Sequence, residues 1–170
     1  MAHSLFGPPG RIRITERRSG LDARFRLLID AAPINCAALW SLAGAGCAHD
    51  ALHGMWTGPE ISCPVAAERL PVDLDLSNLP LENSTREPLA GDLVLVRLAP
   101  GVVGATTPFA GGGLDLGVFY GDGGRLFFPD GWIEGSVCGR VEDEDKEQLA
   151  LAAAVIRRNG ACELELEQLP

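Results

Sequence analysis

Lysine is almost missing from this chain: Lys146 stands alone against 13 arginines, and tyrosine occurs once, at Tyr120. Basic residues are scarce overall, 14 against 23 acidic ones, giving a net charge of -9. Nucleic acids and anionic membrane surfaces need clustered Lys and Arg, so neither is an expected partner. Long hydrophobic runs are also lacking. The start, "MAHSLFGPPG", has no apolar core of signal-peptide length, and no later stretch approaches a bilayer span. A cytoplasmic location is the resulting expectation.

Cysteine is sparse and unpatterned. Cys36, Cys47, Cys63, Cys138 and Cys162 are odd in number and contain no CxxC pair, which reads as reduced, mostly buried thiols. No cysteine stands next to a candidate base in the sequence, and GxSxG, phosphate-loop and dinucleotide motifs are missing. "CAHDALH" sets Cys47, His49 and His53 close together, but zinc normally takes four ligands and a fourth is not evident. An exposed histidine beside a buried thiol is the simpler expectation, with no metal and no cofactor.

What is present is a succession of short strands. At 170 residues and 46% hydrophobic content the chain fits one globular domain, residues 11 to 170, after a flexible arm over 1 to 10. "RIRIT" and "ARFRLLI" alternate around the turn "RSGLD" and predict a hairpin. "DAAPINCAALWSLAGAG" predicts a short helix with Pro33 in its first turn and Ile34, Ala37, Ala38 and Leu39 on its apolar side. "LHGMWT", residues 52 to 57, reads as a strand with Leu52 and Trp56 on one face and His53, Met55 and Thr57 on the other; "EISCPV" is its partner.

Residues 66 to 92 are mostly loop, and "GDLVLVRL" is a buried strand. The glycine-rich stretch 99 to 115 suits a flap over a cavity. "LGVFY" and "RLFFP" flank "GDGG" and predict a second hairpin; "GSVCGRVE" follows as a strand. "EDEDKEQLALAAAVIRRNG" has the acidic start, basic end and Asn-Gly stop of a helix, with Leu149, Ala152, Ala153 and Ile156 as its buried stripe. "CELELEQ" closes the chain as an alternating strand. The fold class expected is mainly β: an antiparallel barrel of about eight strands with two capping helices.

The strand hairpin followed by "LLIDAAPINCAALWSL" resembles the cyclophilin-type barrel. More narrowly, "HGMWTGPEI", "LENSTREPLAGDLVLV" and "LGVFYGDGGRLFFPDGWIEGSVCGRV" look like stretches of a bacterial cyclophilin-like family that includes cucumopine synthase, a ring-forming enzyme. The resemblance covers roughly residues 11 to 142. Proline isomerases of the cyclophilin type carry an arginine in a Phe-His-Arg strand; the matching stretch here is "LHGMWTG", without the guanidinium that weakens amide resonance. The resemblance therefore implies the barrel without the isomerase chemistry.

A pocket follows from the order of these stretches. His53, Glu82 and Tyr120 are the candidate catalytic groups: an imidazole that titrates near neutrality, a carboxylate that could orient it, and a phenol that could donate to developing charge. Trp56, Met55, Glu60, Asn83, Thr85, Phe109 and Trp132 are candidate substrate contacts, although core packing is the simplest role for the two tryptophans. The function expected is a cofactor-independent cyclase acting on a small, largely apolar metabolite. The alternatives are a Pictet-Spengler-type condensing synthase and a barrel that binds a small molecule without turnover. The partners expected are a small-molecule substrate and, if the barrel leaves strand edges open, a second copy in a homodimer.

Overall fold

In the computed structural model, residues 10 to 102 and 109 to 170 are described. The first hairpin forms as the alternation predicts: β1 (Arg11–Glu16) pairs antiparallel with β2 (Leu21–Leu27), setting Ile14 opposite Ala23 and Ile12 opposite Phe25. These four side chains are fully buried, while Arg13 and Asp22 point outward into an ion pair at 2.7 Å. Helix α1 (Pro33–Gly44) follows. Its buried side is Asn35, Cys36, Ala38, Leu39, Leu42 and Ala43, and Ile34, expected on that side, is half-exposed.

The remaining strands are β3 (Ala48–His53), β4 (Glu60–Ala66), β5 (Ser84–Thr85), β6 (Asp92–Leu98), β7 (Gly113–Phe119), β8 (Phe127–Phe128), β9 (Gly131–Trp132), β10 (Gly135–Val141) and β11 (Ala161–Leu169). Helix α2 (Lys146–Asn159) buries the four residues its periodicity marks and stops at Gly160, whose φ of 83° suits glycine. Eight long strands pair in the order β2-β1-β11-β3-β4-β7-β6-β10, and β10 returns to β2. All these pairings are antiparallel, so the molecule is mainly β, a closed eight-strand barrel with two helices. Each of the eight long strands thus has a neighbour on both sides.

Alternation splits the strands between two apolar clusters. Leu93 and Leu95 of β6 and Leu116 and Val118 of β7 point into the barrel, where both helices bury their apolar sides. Val94, Val96 and Leu98 point outward and form a second cluster with Phe119, Leu126 and Val137. Phe109 packs against this outer cluster.

Three sequence expectations give way here. The 52 to 57 strand ends at His53: Gly54 N–H donates to Glu60 O at 2.8 Å, closing a turn through Gly58, whose φ is 88°. "RLFFP" does not pair with "LGVFY", because β7 already has β4 on one edge and β6 on the other. Phe127 and Phe128 pair instead with Trp132 and Gly131. Residues 113 to 115 of the glycine-rich stretch begin β7, and the middle of the expected flap, 103 to 108, lies outside the described residues, as does 1 to 9 of the expected arm. Among the described residues, no helix is long and apolar enough to cross a membrane.

Candidate functional site

His53 ends β3 with its backbone N–H donated to Gly160 O at 2.9 Å, a bond that ties it to the end of α2. Its Nδ1 lies 2.9 Å from Gly54 O and its Nε2 lies 2.7 Å from the Tyr120 hydroxyl. A carbonyl can only accept, so Nδ1 carries the proton and Nε2 accepts from the phenol. Tyr120 follows β7 and is fixed through its N–H to Pro59 O at 3.0 Å. Burial holds His53 below the ordinary histidine value, against the Gly54 bond, and nearby Arg157 lowers it further. Burial raises the Tyr120 phenol while Arg157 opposes the rise. At neutral pH the pair is a neutral imidazole accepting from a neutral phenol.

These two side chains line a groove of about 450 Å³ together with Met55, Asp122, Arg125 and Arg157. Arg125 is steered by its Nε donating to Trp56 O at 3.0 Å. Arg157 shares this groove with Asp122, and its positive charge acts on both His53 and Tyr120. The sequence reading missed Asp122, Arg125 and Arg157. Arg157 comes from the last turn of α2, far along the chain, and no local pattern ties it to His53.

A buried carboxyl pair lies next to the groove. Glu60 accepts from Thr57 Oγ1, and Asp115 accepts from Ser62 Oγ at 2.8 and 3.0 Å. Glu60 and Asp115 are 3% and 6% exposed, and a Cβ added at Gly117 would strike Glu60 Oε1 and the Phe119 ring. Burial lifts the Glu60 carboxyl to about 8, with the charge of Asp115 adding to the rise. Burial lifts Asp115 to about 6, with Ser62 opposing. Near neutral pH the pair holds a proton, and Glu60 is its principal holder. Asp115 was legible as the single charge in the apolar run "GLDLGVF".

The other candidates sit apart from the groove. Glu82 accepts from the backbone N–H groups of Ile34 and Asn35, at 3.3 and 2.8 Å, and from Asn35 Nδ2 at 2.8 Å, which caps the start of α1. Asn83, at φ 45°, donates Nδ2 to Val137 O at 2.9 Å, and Thr85 lies in β5 opposite Gly135. Trp132 packs edge-on against Phe127 at 5.3 Å and is half-exposed, as is Trp56, so neither is a core residue.

The CAHDALH cluster has the opposite polarity to that expected. His49 is 1% exposed and Cys47 is the exposed partner, with Cys47 Sγ 3.7 Å from His49 Nε2, so one cysteine does lie beside an imidazole. His53 is engaged with Tyr120 instead. Burial raises the thiols of Cys36, to about 12, and of Cys63 and Cys138. Among the described residues no three His, Cys, Asp or Glu side chains gather as a metal-ligand set.

Comparison with solved structures returns the same barrel. The structure of McbB in complex with tryptophan superposes with a TM-score of 0.60 at 15% identity, over 92% of this chain and 44% of that one. The chain thus spans less than half the length of McbB, and the likeness shows the fold. A cyclophilin-type peptidyl-prolyl cis-trans isomerase of Cryptosporidium parvum aligns at 12% identity over 95% of this chain and 98% of that one, with a TM-score of 0.47. The same isomerase in the presence of the dipeptide Ala-Pro gives 0.49 at 12% identity, over 95% and 99% of the two chains. No curated protein matches the sequence. The profile of DUF3830, described as a protein of unknown function, matches residues 14–168, and the chain belongs to that family.

Proposed function

We propose that the His53–Tyr120 groove is the site of a cofactor-independent, ring-forming condensation on a small metabolite that carries an anionic group. The observation that carries this reading is the phenol-imidazole hydrogen bond of 2.7 Å in a groove shared with Arg125 and Arg157. Tyr120 has lone pairs left to accept a substrate proton as its own moves to His53 Nε2, and the reverse transfer returns it. A relay of this kind serves both loss of water from an amine-carbonyl adduct and loss of the proton after ring closure. Arg157 would bind the substrate's carboxylate; neutralising that charge makes His53 a stronger base once substrate is bound.

The charged lining favours a condensation of the Pictet-Spengler type over cyclisation of an apolar metabolite. Resemblance to the family of cucumopine synthase and the shared barrel of tryptophan-bound McbB support the same choice. The test is mass spectrometry of a metabolite extract of the producing organism incubated with the protein. A new species equal to two extract components less one water supports condensation, a product isomeric with its precursor supports simple cyclisation, and retention without change supports a binding barrel.

A further inference from the structure

We propose that Glu60 is a positioning residue for His53 and Tyr120: its buried carboxyl pins the turn over residues 54 to 59, and that turn fixes the tautomer and the place of the pair. The two ends of the turn hold the two members. Gly54 O lies 2.9 Å from His53 Nδ1, and Pro59 O accepts the Tyr120 N–H at 3.0 Å. Glu60 ties the turn shut. Its carbonyl accepts the Gly54 N–H at 2.8 Å, its own N–H goes to Gly58 O at 2.9 Å, and its carboxyl accepts from Thr57 Oγ1. Gly54 rests on that carboxyl: a Cβ there would strike Thr57 Oγ1 and come within 3.0 Å of Glu60 Oε2. The residue whose carbonyl orients the imidazole is thus seated on the Glu60 side chain.

The pin holds while it is neutral. Thr57 and Glu60 are 5% and 3% exposed, and Asp115 of β7 acts on Glu60 with a charge of the same sign. Across Gly54 lie His53, Tyr120, Asp122, Arg125 and Arg157 of the groove. A carboxylate formed at Glu60 is buried and repelled by Asp115, so its proton is held up to about pH 8. Ionisation makes the closed turn costly; above that pH the turn loosens and Gly54 O leaves His53 Nδ1. Burial keeps His53 neutral across this range, and a released neutral imidazole drifts towards the Nε2–H tautomer, which cannot accept from Tyr120. The role of Glu60 in turnover rests on the reaction proposed for His53 and Tyr120; its hold on the tautomer does not.

The test follows the histidine ring nitrogens of the isotope-labelled full-length chain by NMR from about pH 7 to about pH 9.5, without substrate, with His53→Gln assigning the His53 signals. The expected wild-type result is a single Nδ1–H tautomer at neutral pH that is lost as pH rises through about 8. Glu60→Gln stays neutral and keeps an acceptor for Thr57, so it is expected to hold Nδ1–H over the whole range. Glu60→Ala is expected to lose it already at neutral pH. A wild-type tautomer that does not change with pH, or one lost equally in Glu60→Gln, would overturn the proposal, as would a folded Glu60→Ala with the wild-type tautomer. If Glu60→Ala does not fold, the comparison of wild type with Glu60→Gln decides. No substrate enters the measurement, so its failure is distinct from failure of the proposed reaction.

Discussion

The phenolic oxygen of Tyr120 lies 2.7 Å from Nε2 of His53, and the opposite nitrogen of that ring is held by Gly54 O at 2.9 Å. Both ends of the imidazole are therefore committed, and its tautomer is fixed before any ligand arrives. Preorganisation of this kind is what proton transfer requires of a site that must act without rearranging.

Arg157 governs the charge balance of this pair. Its positive charge lowers both His53 and Tyr120, so Arg157→Gln is expected to raise both and to move the acid limb of the pH-rate profile to higher pH. Affinity for an anionic substrate should fall about tenfold or more, as for loss of a charged hydrogen bond. Steady-state kinetics across pH 5 to 9 would read both effects; an unmoved acid limb with unchanged KM would separate Arg157 from the site.

The buried carboxyls give stability a definite pH dependence. Glu60 rises from an ordinary value of 4.5 to about 8, and Asp115 from 3.8 to about 6. Raised carboxyls bind protons more tightly in the folded state, so their contribution is full below the unfolded values and is lost as pH climbs through the folded ones. Resistance to urea should therefore decline from about pH 4 to about pH 8, and Glu60→Gln should flatten the upper part of that decline. A wild-type midpoint that rises over the same range would contradict the burial of the pair.

Glu82 is expected to matter for folding. Its carboxylate takes three hydrogen bonds at the start of α1, so Glu82→Ala should cost about 1–3 kcal/mol in urea unfolding. Turnover measured well below the unfolding transition should change little. A large fall in kcat with unchanged stability would return Glu82 to the catalytic role its sequence context suggested.

Gly117 is required by close approach. A methyl group there meets Glu60 Oε1 and the Phe119 ring, so Gly117→Ala should destabilise the fold by about 1–3 kcal/mol. Thermal unfolding of the variant checks this, and an unchanged midpoint would mean the strands yield more easily than their pairing indicates.

Local signals in the sequence were sufficient for much of the barrel. The β1–β2 hairpin, the stripe of α2 and its stop at Gly160 depend on neighbours within a few residues, and all are found where alternation, capping and turn chemistry place them. The end of β3 was harder to read, because "LHGMWT" alternates like a strand while Gly54 N–H is taken by Glu60 O across a turn. "RLFFP" failed as a hairpin arm for a non-local reason: both edges of β7 were already occupied by β4 and β6.

The site shows the same division. His53 and Tyr120 were legible as residue types suited to proton transfer, and the barrel brings them together. Glu82 has the right chemistry but serves the start of α1, a partner nearly fifty residues away in sequence that no spacing rule reveals. Arg157 reaches the groove because α2 packs its buried stripe against the barrel and ends at the carbonyl that receives His53 N–H. Tertiary packing creates that proximity.

The most direct measurement is turnover by Tyr120→Phe, followed as the water-loss product formed from the metabolite extract. Removing one hydroxyl leaves the ring and its packing in place, so ligand retention should persist while product formation falls by about 10²–10⁴-fold, the usual span for loss of an acid-base group. Product formation at the wild-type rate would show that the His53–Tyr120 hydrogen bond is not part of the chemistry.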